Sequence, residues 1–425
     1  MKTIIKNATL ISMSKKREKL ENEIDIEIDN GEIVKISKNI KPNEKERIID
    51  ASGKYVMPGF INTHAHVPMS IFRETVDGYK LQDWLTKKIW PMEDKLTPQD
   101  IYEASKLSFI EMIKTGTTTI NDMYFMTDDI IKAAKETKIR LQTSRTLMGD
   151  IDENGLKRID ELKELLEKYK NEKLITFNVG VHGLYTSSYK YVEKCIKFAK
   201  ENELQVHIHF CENSKEVEDI KNSYRKMPID ALQELFKNQK AILAHCVKLS
   251  QSDIEKLKQL DVSVSHCPVS NLKLGCGIAN ISEMVKQGVN VSLGTDGQGS
   301  GSNLDMFETM KYAALLQKGI HEDAEEMPAY EVLKMATIDG AKALNMEEKI
   351  GSIEEGKDAD IIILNLDNVV SNPVNDIFSD IVYNAKGSNV ETTIINGNIL
   401  MENRKIKQNE KEIFEKCKQI IERIK

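Results

Sequence analysis

Eight histidines occur in the 425 residues, and His64, His66, His182, His209 and His245 sit at or near the C-terminal ends of short runs rich in β-branched residues. His64 and His66 close VMPGFINTHAH, His182 closes ITFNVGVH, His209 lies in VHIHF and His245 ends AILAH, while Asp296 closes a further run, VNVSLGTD. Neutral imidazoles and carboxylates are the side chains that bind transition metals such as zinc. Two histidines two apart point to the same face of a strand, so His64 and His66 can grip one cation. His209 and Asp296 would complete a protein ligand set that leaves a position for water, the arrangement of a catalytic metal site. His207 and His209 form a second pair of the same spacing, and spacing alone does not choose between them. His209 is preferred because it lies nearer the C-terminal end of its run and Glu212 follows three residues later. His207 then belongs a layer deeper, His266 behind the pocket or on its wall, and His321 on the surface. A metal lowers the pKa of bound water towards neutrality, and a carboxylate such as Glu212 can carry protons during attack on an electron-poor carbon.

Eight β-rich runs alternate with amphipathic helical segments between residues 56 and 296. They are Val56–His66, Thr117–Met123, Ile139–Arg145, Ile175–His182, Gln205–Glu212, Ala241–Val247, Val262–Pro268 and Val289–Asp296. Helical patterns such as Asp100–Lys114 and Leu304–Gln317 follow them. This repetition predicts an α/β fold, a (β/α)8 TIM-like barrel, in which strand C-termini converge on the active-site mouth. The histidines and Asp296 lie at or near those ends. No G-x-G-x-x-G follows an early strand, which argues against dinucleotide binding.

The two ends of the chain read differently. Ile24, Ile26 and Ile28 alternate with acidic residues before Asn30-Gly31, and Ala359–Leu364 and Thr392–Ile395 lead to a second turn dipeptide, Asn396-Gly397. Both termini therefore contribute to one small β domain. Ile413, Phe414, Cys417, Ile420, Ile421 and Ile424 recur at helical spacing and predict a packing helix. The expected division is 1–55 and 358–425, with the C-terminal helix, for the composite β domain, and 56–357 for the barrel.

Lys+Arg 60 against Asp+Glu 67 gives a net charge of −7, which argues against a surface built for nucleic acid. Apolar residues at 40% and charged residues at 30% describe a globular chain. No apolar run is long enough to span a membrane, and no signal-peptide pattern opens the sequence. The six cysteines form no disulfide-like or four-cysteine zinc pattern and read as reduced thiols. A cytoplasmic protein acting on a small molecule is expected, and a homo-oligomer is compatible with this composition.

The segments VMPGFINTHAHVPMSIFRE, VHIHFCENSKE, AHCV, VSHCPVSNLKLG and SLGTDG resemble the amidohydrolase superfamily over nearly the whole chain. DWLTKKIWPMEDKLT narrows the resemblance towards its 5-methylthioadenosine/S-adenosylhomocysteine deaminases. The resemblance implies a metallo-dependent hydrolase barrel with a small composite β-sandwich, and one zinc per chain, with iron as the lesser alternative, on His64, His66, His209 and Asp296. It further implies attack of water on C6 of an adenine ring, with Glu212 protonating the ring nitrogen, His245 orienting the water and Asp296 accepting its proton. Among substrate contacts it implies Glu93 on the ribose, Trp84 beside the sulfur-bearing tail, His182 on the nucleoside and Arg145 on a homocysteine carboxylate. Glu212 and Asp296 would also touch the nucleoside substrate. VHGLYTSS departs from the usual histidine, small residue, proline, tyrosine run. A second arginine expected beyond Arg145 is not cleanly matched, since Lys157 and Arg158 both stand near that position and neither is assigned. The competing reading is a deaminase or chlorohydrolase of the same superfamily acting on guanine, cytosine or a triazine. The P-C-x-x-C signature of the unrelated zinc deaminases is missing.

Overall fold

Asn30-Gly31 and Asn396-Gly397 are the two turns that join the ends of the chain. All four residues have positive φ, at 50° and 93° in the first turn and 46° and 72° in the second, as a two-residue hairpin of matching twist requires. The turns abut: Ala359 N–H donates to Gly31 O at 2.8 Å, and Gly397 N–H donates to Ala359 O at 3.1 Å. A Cβ on Gly31 would lie 2.8 Å from Asn396 Oδ1, so this position admits only glycine.

The computed structural model describes residues 2–75 and 77–425. Its strands are β1 (Thr3–Leu10), β2 (Glu21–Asp29), β3 (Glu32–Ser37), β4 (Arg47–Asp50) and β5 (Tyr55–Pro58). Then follow β6 (Phe60–Ala65), β7 (Thr117–Tyr124), β8 (Arg140–Arg145), β9 (Ile175–Phe177) and β10 (Val179–Gly183). β11 (Val206–Phe210), β12 (Ala241–His245), β13 (Val262–His266) and β14 (Asn290–Leu293) come next. β15 (Ile361–Leu364), β16 (Val390–Ile395), β17 (Asn398–Glu402) and β18 (Lys405–Ile406) close the series. β1–β5 and β15–β18 form one nine-stranded sheet from both termini, with β15 antiparallel to β5 at its centre. Its apolar faces enclose a separate cluster that includes Ile5, Ile26, Ile33, Val56, Ile361 and Ile394.

The remaining strands form two parallel sheets, β6-β7-β8-β9 and β10-β11-β12-β13-β14, with helices in the connections. The sheets meet along both edges. On one side Leu147 N–H donates to Gly180 O at 2.8 Å and His182 N–H to Leu147 O at 2.9 Å; on the other, Asp296 N–H donates to His64 O at 3.0 Å. No helix among the described residues is long and apolar enough to cross a membrane.

Three expectations need correction. The run Val56–His66 is two strands: Tyr55–Pro58 pairs with the terminal sheet, and only Phe60–Ala65 joins the parallel strands. The change of sheet falls at Gly59, where a Cβ would lie 2.1 Å from Thr118 Cγ2, so a bare backbone is needed to pass. Ile175–His182 breaks at Asn178, whose N–H still reaches Thr143 O on β8 whereas Val179 N–H turns to Gln205 O beside β11. Finally, Phe414 leaves the stripe of its helix, Glu410–Ile424, and is 45% exposed. Ile413, Cys417, Ile420 and Ile424 form the buried face, which lies on the helix Pro98–Lys114 through contacts such as Cys417 Sγ to Glu103 O.

Arg140 joins the two parts of the chain electrostatically. From the start of β8 it donates to Asp360 at 2.8 Å and to Asp358 at 2.7 Å, and Asp360 also accepts Asn396 N–H. Arg140 and Asp360 are both buried. Removing one partner leaves a buried charge uncompensated, so Arg140→Leu should lose about 3–5 kcal/mol of stability. Chemical denaturation checks this; a loss below about 1 kcal/mol, the range of an exposed pair, would contradict it.

Candidate active site

The C-terminal ends of the parallel strands bring His64, His66, His209, His245, Glu212 and Asp296 together. His66 Nε2 lies 3.3 Å and His64 Nε2 3.6 Å from Asp296 Oδ1, and His209 Nε2 lies 3.2 Å from His66 Nε2. The tautomers of two rings follow from their other nitrogens. His66 Nδ1 faces Met123 O at 2.6 Å and His209 Nδ1 faces His182 O at 2.6 Å, so each Nδ1–H donates and each Nε2 presents a lone pair. Two lone pairs 3.2 Å apart repel each other unless a cation lies between them. His64 Nε2 is buried with no hydrogen-bond partner, although His207 Nε2 backs its Nδ1 at 2.8 Å. Burial, reinforced by neighbouring rings, holds His64 and His209 well below the usual histidine range, so both are neutral. This donor chemistry fits a divalent metal.

Asp296 adopts a left-handed φ of 60°, and its carboxylate accepts Gly297 N–H at 2.7 Å and Ser270 Oγ–H at 2.5 Å. Burial pushes its pKa up, but His66, His245 and the hydroxyls of Ser270 and Ser300 outweigh that and keep it below the usual value. Glu212 is the opposite case. Burial first, then the negative Asp296, push it up to about 8, against a weak opposing hydrogen bond from the Cys276 thiol. Two carboxyl groups in one cavity are thus held in different protonation states at neutral pH. His245, at φ 76°, offers Nδ1 to Asn271 Oδ1 at 2.9 Å and holds Nε2 3.9 Å from Glu212 Oε2. Its ring nitrogen also groups with those of His64 and His209, as close as a ligand.

Above this floor opens a cavity of about 590 Å³. Trp84, Glu93, Arg145 and His182 all line it. Gly299 lets Trp84 approach, since a Cβ there would lie 3.1 Å from the indole. Glu93 accepts the Tyr124 hydroxyl, and burial raises it to about 7 despite that bond. His182 takes Thr186 Oγ1 at 3.0 Å and is held neutral by burial, at about 4. Arg145 donates through Nε to Glu161 at 2.7 Å and through Nη1 to Thr146 O at 2.9 Å. Arg158 also lines the cavity, braced by Met148 O at 2.8 Å, whereas Lys157 is exposed. Helical phase in Glu153–Tyr169 turns Arg158 to the cavity and Lys157 away from it. Tyr124, Tyr185, Ser270, Asn271 and Cys276 carried no spacing signal and enter only through their contacts. His266 is buried with both ring nitrogens unpartnered, outside the cavity lining, and His321 is half-buried against Asn280.

A parallel α/β scaffold with a histidine–aspartate floor defines a class of metal-dependent hydrolases, and the comparisons agree. The amidohydrolase family model matches residues 55–400, and the chain belongs to that family. It is similar to 5-methylthioadenosine/S-adenosylhomocysteine deaminase of Thermoanaerobacter pseudethanolicus, 42% identical over 412 residues, covering 96% of this chain and 95% of the relative. It is also similar to 5'-deoxyadenosine deaminase of Methanosarcina acetivorans, 39% identical over 99% of this chain and 98% of that protein. Among solved structures, an adenosine deaminase from Xanthomonas campestris with bound zinc superposes with a TM-score of 0.94 at 27% identity, covering 99% and 98% of the two chains.

Purified protein should carry about one divalent transition-metal ion per chain. His64→Ala and Asp296→Ala should each strip it. Elemental analysis showing undiminished metal in both variants would remove this ligand set.

Proposed function

We propose that this protein is a zinc-dependent aminohydrolase that converts the adenine ring of 5'-methylthioadenosine and S-adenosylhomocysteine to the inosine analogue, with release of ammonia. The observation that carries the reading is the clustering of His64, His66, His209, His245, Glu212 and Asp296 in overlapping groups of three, each with ligand atoms within 4.8 Å of one another, at the base of the cavity. Full-length likeness to nucleoside deaminases supports the same activity. Two further inferences concern architecture. The two parallel sheets are the halves of one closed (β/α)8 barrel, the catalytic domain, which starts at Phe60 rather than at 56 and runs to 357, and hydrogen bonds across both edges support this. The nine-stranded sheet is the composite β-sandwich of the N-terminal part through Pro58 and of 358–425, in keeping with its own apolar cluster. Six buried, unpaired thiols suit a reducing cytoplasm.

His64, His66, His209 and Asp296 would hold one zinc ion, and when bound it would supply the Lewis acidity that makes water a competent nucleophile near neutral pH. Glu212 retains a proton up to about pH 8 and delivers it to the ring nitrogen as the water oxygen adds to C6. Asp296 accepts one proton of the water and passes it to the amino group, which departs as ammonia, while the proton left on the C6 hydroxyl returns to Glu212 as the carbonyl forms. His245, oriented by Asn271, orients the attacking water and stabilises the charge developing on its oxygen. Glu93 accepts the ribose hydroxyls, His182 contacts the nucleoside and Trp84 walls the 5' tail. Arg145 and Arg158 receive the carboxylate of the homocysteine tail, for which a guanidinium fork is suited.

A reading in which guanine, cytosine or a triazine is the substrate leaves the Glu93–Tyr124 pair without a partner. Ammonia release from a substrate panel decides between them. Methylthioadenosine and S-adenosylhomocysteine should far outpace adenine, guanine, cytosine and a chlorotriazine; a free base as best substrate ends the nucleoside reading. Glu212→Gln should keep the metal and lose on the order of a hundredfold or more in rate. Arg145→Ala should raise KM for S-adenosylhomocysteine more than for methylthioadenosine, because only the former brings a carboxylate.

Glu93 sets a pH dependence. It gains a proton as pH falls through about 7, and a protonated carboxyl accepts fewer hydrogen bonds than a carboxylate. KM for the nucleosides should therefore rise below that pH, and Glu93→Gln should flatten the rise. An unchanged KM profile in the variant would detach Glu93 from the ribose.

A further inference from the structure

We infer that Glu216 is a positioning residue for Glu212, its carboxylate clamping the backbone turn that aims the Glu212 side chain into the cavity. The inference rests on the deaminase reading. β11 ends at Phe210, and the chain turns through a left-handed Cys211, φ 51°, before the helix Ser214–Tyr224 begins. In that turn the amides of Cys211 and Glu212 leave the strand ladder and need other acceptors. Glu216 supplies both: one carboxylate oxygen accepts Cys211 N–H at 2.8 Å, and the other accepts Glu212 N–H at 2.7 Å.

Glu216 is the third residue of its helix, from which a glutamate ordinarily reaches back to the N-cap amide. Here Asn213 caps the helix by taking Glu216 N–H on Oδ1 at 3.0 Å, and the Glu216 carboxylate reaches one and two residues further back. It is 1% exposed, and among the described residues no cation pairs with it. Burial and the neighbouring Glu212 carboxyl raise it to about 7, against the two amides, His245 and the helix N-terminus. Such a buried carboxylate is costly as a helix-starting device, because Asn213 already provides the cap.

What the clamp does accomplish is to fix the backbone at the Glu212 position. The contacts of the Glu212 side chain are loose by comparison. Cys276 is a weak thiol donor at 3.7 Å, and His245 Nε2 stands 3.9 Å away. The location of the proton-carrying carboxyl is therefore set through the main chain. A glutamine at 216 cannot reproduce the clamp, because its NH2 group would face one of the two N–H donors.

The test is a double-substitution cycle on the metal-loaded, full-length protein, using methylthioadenosine. Wild-type ammonia release is measured first; its absence would sink the deaminase reading itself, separately from this inference. With an active wild type, Glu216→Gln should lower kcat about tenfold to a hundredfold, the scale of a misplaced reacting group, with KM and metal content nearly unchanged. In a Glu212→Gln background the same substitution should cost nothing further, because it acts through Glu212. Asn213→Ala, which loosens the same helix start but leaves the Glu216 carboxylate in place, should lower Tm while keeping kcat. If Glu216→Gln does not fold, Glu216→Asp, shorter by one methylene, runs the same cycle. Wild-type kcat in the Glu216 variant, an equal loss of rate in the Glu212→Gln background, or an equal loss in Asn213→Ala would each overturn the proposal.

Discussion

The hydrogen bond from Asp296 N–H to His64 O, 3.0 Å long, is the contact on which the site depends. It joins the end of the last parallel strand to the first. Before it forms, the candidate ligands sit in distant parts of the chain, and closing that long loop carries an entropic cost that no local interaction offsets. Asn62 reinforces the seam from below, accepting Thr295 N–H at 3.1 Å and donating to Thr295 Oγ1 at 2.7 Å. Thr63 adds hydroxyl contacts to Ser265 and Ser292. The layer under the histidines is thus polar and hydrogen-bonded, which orients the rings more specifically than aliphatic packing does.

The ends of these strands are also where backbone strain collects. Cys211, His245, Cys246 and Asp296 all have left-handed φ, between 51° and 76°. Non-glycine residues in that region cost of order 1 kcal/mol or more each, and the surrounding hydrogen bonds must over-determine them. At Asp296 those are the bonds from Gly297 and Ser270, and at Cys211 the bond to Glu216. The result is that side chains which a straight strand would send outward or along its axis converge on one cavity.

Convergence then separates the titration of like groups. Packed together and desolvated, His64, His182, His207 and His209 are neutral. Glu212 and Asp296 share the cavity with opposite outcomes, because burial and then the Asp296 charge prevail at Glu212, whereas at Asp296 burial is outweighed by His66, His245 and the Ser270 and Ser300 hydroxyls. An acid and a base thus coexist near neutral pH on the same floor.

Much of this was legible in the residues alone. The H-x-H at His64 and His66, the alternation of β-rich runs with helices and the two Asn-Gly turns depend on local periodicity, and periodicity is written in the chain. The resemblance of its motifs to the amidohydrolases followed from the same stretches. What local pattern could not supply was anything decided by distant contacts. Gly59 reads as one more residue of a continuous run, and only the side chain of Thr118 makes it the point where the strand changes sheets. Lys157 and Arg158 are equivalent by charge and position until the helix packs and turns one of them to the cavity. Glu216 closes the motif VHIHFCENSKE, but its role is visible only once the left-handed turn at Cys211 brings two stranded amides to its carboxylate. Spacing determines which side chains share a face of one element, whereas the partner of a buried polar group, and therefore its charge and its direction, is determined only when elements far apart in sequence are packed against each other.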